Sequence, residues 1–85
     1  MAEILLKFEG LLYRPDGSKI GSVRAVFDDD YGPCVKWVCG TEKETVERVE
    51  VVGPDGEGLG GQTLKKKFKK DDTLVVPLGM WGLSK

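Results

Sequence analysis

Hydrophobic and polar residues alternate along much of this chain, which is the pattern of strands with one buried and one exposed face. The alternation is clearest over residues 19–27, where small or apolar residues occupy every second position from Gly21 to Phe27. These positions predict an inward face. Residues 4–13 predict another strand, and its apolar residues change parity near Gly10, so we expect that strand to bend there.

Turn-forming residues separate the predicted strands. Pro-Asp-Gly within residues 14–18 predicts a hairpin, because proline presets φ, aspartate bonds its own backbone and glycine accepts positive φ. An acidic and Gly-Pro segment at residues 28–33 ends the next strand, and residues 34–39 and 73–77 predict two further strands. The glycine-rich residues 53–62 predict a turn or a mobile loop.

Two segments fit either a strand or a helix. Thr41 and Glu44 resemble a capping box, which favours a helix over residues 42–52. The valines of that segment are β-branched and do not make one helical stripe, so we predict a strand and keep the helix as an alternative. Residues 63–70 fit a short helix, in which two apolar residues lie four positions apart, or an exposed strand.

The order of features repeats along the chain. Residues 15–21 and 54–60 share the pattern Pro-Asp-Gly-x-x-(Ile/Leu)-Gly at an offset of 39, and a later Asp, Pro, Trp series recurs at an offset of 44. This repetition predicts internal repeats over residues 3–40 and 45–85, related by a pseudo-two-fold axis within one core. The alternative is coincidence, since Pro-Asp-Gly is common at turns.

These elements together predict an all-β fold. We expect a small barrel or sandwich of five to seven mostly antiparallel strands, with at most one short helix near residues 63–70. The 85 residues fit one small β domain over residues 1–85. The longest uncharged stretch, residues 73–84, is shorter than the ~20 residues that cross a bilayer.

The composition limits the chemistry. The chain has no histidine, so it lacks the base of a catalytic triad and the commonest zinc ligand. Cys34 and Cys39 are the only cysteines, and we expect them to be reduced thiols in a cytoplasmic protein. Glycine spacing at residues 56–61 matches a dinucleotide fingerprint, but too few residues follow for the βαβ unit. We therefore expect no cofactor, no metal and no catalytic residue.

Charge is unevenly distributed. The net charge is −1, but a lysine-rich segment surrounds one phenylalanine near the carboxyl terminus, namely Lys65, Lys66, Lys67, Phe68, Lys69 and Lys70. Ammonium groups beside a ring suit single-stranded nucleic acid, and Tyr31 and Trp37 are candidates for further base stacking. The alternative is that the ring is in the core and the lysines protect a sheet edge from aggregation.

An uncharged segment suggests a different kind of binding. Residues 75–83 are apolar enough that we expect part of them to be exposed and then covered by a partner, with Met80 and Trp81 as contacts. Our functional hypothesis is a non-enzymatic interaction module that binds another protein or self-associates as a homo-oligomer. The alternative is a small barrel that binds single-stranded nucleic acid through the lysines of residues 65–70.

Overall fold

The structure is a computed structural model that describes residues 7–78, and its six strands form a nearly closed antiparallel barrel. The strands are β1 (Glu9–Tyr13), β2 (Lys19–Asp28), β3 (Gly32–Val38), β4 (Lys43–Val52), β5 (Gly58–Lys69) and β6 (Thr73–Pro77). Their order in the sheet is β5-β4-β1-β2-β3-β6. The predicted all-β fold is confirmed, and residues 7–78 contain no helix long and apolar enough to cross a membrane.

Both segments that fitted a strand or a helix are strands. β4 pairs with β1 on one side and with β5 on the other, and three of its valines, Val46, Val49 and Val51, are buried in the barrel. The residue that suggested a helix cap has another role, since the carboxylate of Glu44 accepts a hydrogen bond from Arg14 Nε at 2.8 Å. Cross-strand pairing and burial therefore outweigh the local capping pattern.

The expectation for residues 53–62 is only partly right. A turn covers the first half, where the N–H of Gly53 donates to the carbonyl oxygen of Glu57 at 2.8 Å. The second half belongs to β5, which begins at Gly58, so the prediction of a turn or mobile loop there is wrong. A Cβ at Gly61 would meet the guanidinium of Arg48, which is the end of a flexible side chain and can move aside.

The core consists mainly of aliphatic side chains contributed by all six strands and the residues flanking them. Glycine is needed at position 10 of β1, because a Cβ there would be 2.6 Å from Cγ1 of Val35. No polar or charged side chain among residues 7–78 is buried in this interior. The buried cluster comprises Phe8, Leu12, Ala25, Val35, Cys39, Val46, Val49, Val51, Phe68, Leu74, Val76 and Leu78.

The β1–β2 and β4–β5 hairpins share one register at the offset of 39 seen in the sequence. Leu11 is opposite Ser22 in the first hairpin, and Glu50 is opposite Gly61 in the second. Each hairpin has a register shift one residue further along, after Leu12 in β1 and at the equivalent position in β4.

The turns of these hairpins also correspond. Gly17 N–H donates to the Arg14 carbonyl oxygen at 2.9 Å, and Gly56 N–H donates to the Gly53 carbonyl oxygen at 3.0 Å. Both glycines have positive φ, at 91° and 82°. The predicted Pro-Asp-Gly hairpin after β1 is confirmed, and the same turn follows β4.

Pairing between β1 and β4 places a local two-fold axis between the hairpins. Leu11 is opposite Glu50, and Glu50 is also the residue that corresponds to Leu11 at the offset of 39. The correspondence ends beyond the hairpins, because β2 goes on to pair with β3 whereas β5 continues along β4 as far as Lys69. The internal repeat remains a prediction, and the shared register supports it.

The contact between Gly10 and Val35 gives a stability prediction. We expect Gly10→Ala to lower the free energy of unfolding by about 1–3 kcal/mol, because the added methyl overpacks the core. The control is Gly21→Ala in the neighbouring strand, where a Cβ would meet nothing within 4 Å. It should change the free energy by no more than about 0.5 kcal/mol. Urea denaturation of both variants measures the difference, and equal stabilities would contradict the packing argument.

Candidate functional site

Residues 65–69 of the lysine-rich segment lie on the second half of β5, and Lys70 is in the turn that follows. All five lysines are exposed. Phe68 is only 3% exposed. Its ring packs edge to face against Trp37, with ring centroids 5.4 Å apart and planes at 86°. The phenylalanine is thus a core residue that joins β5 to β3, and its ring is not available for stacking on a base.

β5 lies at one end of the strand order, and within the described residues it pairs only with β4. The β4–β5 ladder shifts register between Val46 and Arg48, and Lys65 on the opposite strand has a φ of 51°. An irregular, lysine-bearing edge is a poor template for pairing with another strand. The position of the lysines fits this protective role.

Three lysines border a surface groove of about 480 Å³ on the β4–β5 face. We call it the lysine groove, defined by Lys43, Lys67 and Lys69, and Thr45 and Phe68 also line it. Lys43 and Lys69 are directly opposite each other in the β4–β5 ladder. Like charges at such a pair of positions are unfavourable.

None of these three lysines forms an ion pair among residues 7–78. Glu44, which also lines the groove, is bound to Arg14 at 2.8 Å. The two other ion pairs in this part of the chain join Lys36 to Asp28 and Arg48 to Glu50. The lysine groove is therefore a concave surface with excess positive charge.

Large hydrophobic side chains are exposed at the turn between β2 and β3. We call residues 26–31 the hairpin tip, in which Val26 is 38%, Phe27 47% and Tyr31 56% exposed. The prediction that Phe27 faces inward does not make it a core residue, because nearly half of its surface is exposed. Phe27 has the inward parity of β2 but is opposite Pro33 next to the turn, so it lies at the edge of the buried region.

Asp28 organises the backbone of the hairpin tip. Its Oδ2 accepts hydrogen bonds from the N–H groups of Asp30 at 2.9 Å and Tyr31 at 3.0 Å. Its Oδ1 accepts a hydrogen bond from Lys36 Nζ at 2.6 Å. The bond from Lys36 is the main reason why the pKa of Asp28 lies below its ordinary value, and the backbone bonds lower it further. The two other acids of the turn, Asp29 and Asp30, are exposed.

The hairpin tip and the lysine groove lie at opposite ends of β3. The tip precedes Gly32, where β3 begins, and the far end of the strand leads to Cys39. Cys39 N–H donates to the Asp72 carbonyl oxygen at 2.9 Å, and Asp72 Oδ2 accepts from Lys69 N–H at 2.8 Å. Seven residues of strand separate the two surfaces by roughly 20 Å. The structure therefore does not bring Tyr31 together with the lysines of β5.

Both thiols are free and buried. Burial raises the pKa of Cys34, and the nearby carboxylate of Asp28 raises it further. Cys39 Sγ donates to the Thr41 carbonyl oxygen at 3.2 Å. Neither cysteine has the exposed, electropositive surroundings of a reactive thiolate. Residues 7–78 contain no group of three or more acids and cysteines placed to hold a metal ion.

The remaining predicted contacts are placed as follows. Trp37 is partly buried against the core and Tyr31 is exposed. Met80 and Trp81 lie outside the described residues. Sequence reasoning missed Val26 and Phe27 as surface residues. The available signal was their position directly before three consecutive aspartates, where a strand leaves the core.

Comparison with known proteins finds no family model, no curated protein and no solved structure that matches this chain.

The bonds of Asp28 predict a pH-dependent stability. Since the native pKa of Asp28 lies below the ordinary value of about 3.9, its carboxylate stabilises the fold above that pH. The contribution is lost as pH falls through the native pKa. We expect Asp28→Asn to be less stable than wild type at neutral pH, and the difference to shrink below about pH 4.

Urea denaturation at several pH values between 7 and 2.5 measures this difference. The control is Asp29→Asn, which removes a neighbouring charge but none of the bonds of Asp28 and should have little effect at neutral pH. An Asp28→Asn deficit of the same size at every pH would show that the charge of Asp28 is not responsible.

Proposed function

We propose that this chain is a non-enzymatic protein-interaction module that docks its partner through the hairpin tip. The observation that carries the proposal is the exposure of Val26, Phe27 and Tyr31 at a single turn, beside a closed core. Aromatic side chains supply a large contact area at low entropic cost and dominate binding hot spots.

The bonds made by Asp28 suit the tip to docking. Its carboxylate accepts two hydrogen bonds from backbone N–H groups next to Tyr31 and a third from Lys36, and these bonds restrain the turn before any partner binds. A surface that is already ordered loses less conformational entropy on binding. The tip therefore combines apolar area with a fixed shape.

The side chains of the tip indicate what kind of surface a partner would need. Val26 and Phe27 are consecutive strand residues, so their side chains project to opposite faces of the hairpin. Asp29 and Asp30 are exposed beside them and form an acidic rim. The complementary surface is a concave apolar site with basic residues around it.

Site-specific photocrosslinking tests the proposal. A photoreactive phenylalanine analogue at position 31 replaces Tyr31, and the same analogue at the exposed Ser22 of β2 is the control. In cells that produce the protein naturally, we expect discrete adducts with one protein, either a second copy or another chain, from position 31 only. The absence of adducts at position 31, or equal adducts at both positions, would overturn the proposal.

Single-stranded nucleic acid is a second candidate ligand, favoured by the five exposed lysines of residues 65–70. Because Phe68 is in the core, this binding would depend on phosphates rather than on base stacking. Such a ligand would be held through its backbone and without preference for base sequence.

Retardation of a labelled oligonucleotide at low salt tests this second candidate. We expect the double variant Lys66→Glu/Lys67→Glu to bind more weakly and to reduce the slope of log K against log salt by about 1.4, since each phosphate contact contributes about 0.7. The control Lys19→Glu/Arg24→Glu makes the same charge change on β2 and should retain the slope. An abasic oligonucleotide should bind like a normal one. Failure of the wild-type protein to bind the oligonucleotide at low salt would rule out nucleic-acid binding.

A further inference from the structure

We infer that the partner of the hairpin tip is a second copy of this chain, whose lysine groove receives the tip. This inference rests on the proposed function, because it names the partner of that docking surface. It is carried by the opposite charge of two surfaces that one molecule presents at opposite ends.

Each surface has charge that the described part of its own molecule does not neutralise. At the tip, the only described ion pair is that of Asp28 with Lys36, which leaves the carboxylates of Asp29 and Asp30 on the rim. In the groove, Lys43 is opposite Lys69 without a carboxylate partner among residues 7–78. Docking of the tip in the groove would place acids beside the crowded ammonium groups and relieve their repulsion.

The groove also has a volume and a lining that suit an apolar side chain. Its volume of about 480 Å³ lies within the range of roughly 300–1,000 Å³ typical of ligand pockets. Thr45 and the aliphatic stems of the lysines give it an apolar wall, on which a ring such as that of Tyr31 can pack. Ammonium groups near a ring face add a favourable electrostatic contact.

The geometry requires two molecules. Roughly 20 Å of β3 separates the tip from the groove, so a chain cannot insert its own tip. Two copies that exchange tips form a closed dimer with two identical contacts, whereas a one-way contact extends into an open chain. Pairing between the β5 edges of two copies is disfavoured instead, because it would bring lysines against lysines.

Variants with reversed charges test the contact between tip and groove. Self-association is measured by sedimentation equilibrium at low salt. We expect the groove variant Lys67→Glu/Lys69→Glu and the tip variant Asp29→Lys/Asp30→Lys each to weaken self-association at least about tenfold. The quadruple variant should return to within about threefold of wild type, since opposite charges again meet. An equimolar mixture of the two double variants should associate more strongly than either alone.

The matched control is Lys65→Glu/Lys70→Glu, which changes the net charge of the lysine-rich segment by the same amount outside the groove. These two exposed lysines do not line the groove, so the variant should associate within about threefold of wild type. Raising the salt from 50 to 500 mM should weaken wild-type association, because exposed charge pairs are screened.

Two results would overturn the inference. One is a wild-type protein that stays monomeric at millimolar concentration, and the other is a quadruple variant that associates no better than the double variants. If position 31 then still crosslinks to one different protein, the proposed function stands and only the named partner is wrong. If position 31 captures nothing, the proposed function fails as well.

Discussion

Burial of the β4 valines is the interaction on which the rest of the barrel depends. β4 lies between β1 and β5, and Val46, Val49 and Val51 are completely buried. Each such side chain contributes about 1.5–3 kcal/mol on burial, a large share of the stability of a chain this short. β4 also joins the two hairpins that share a register, so the valines hold together the two parts of the sheet.

Filling the interior with side chains directs binding to the outside. The core residues touch one another closely enough that even a methyl group on Gly10 would collide with Val35. The interior of a small barrel packed in this way is filled by side chains. The two surfaces that we propose for binding lie where strands leave the buried region, at the hairpin tip, and where the sheet ends, at β5.

The two outer surfaces differ in how their charges are held. At the tip, Asp28 is bound by Lys36 and by two backbone N–H groups, and this ordered turn presents apolar side chains. Along β5, the lysines are exposed and have no described carboxylate partner, so their charge is available to an acidic surface. Ordered apolar area at one end and excess positive charge at the other are the physical basis of our proposals.

The sequence alone determined the strand pattern, the Pro-Asp-Gly hairpin and the all-β class, because alternation and turn chemistry are local properties. It left residues 42–52 and 63–70 undecided, since pairing with each other, and of β4 with β1, makes them strands. The exposure of Phe27 and the burial of Phe68 were likewise decided by tertiary structure. Parity assigns a side chain to one face of a strand, but only the packed sheet shows where along the strand that face stops being covered.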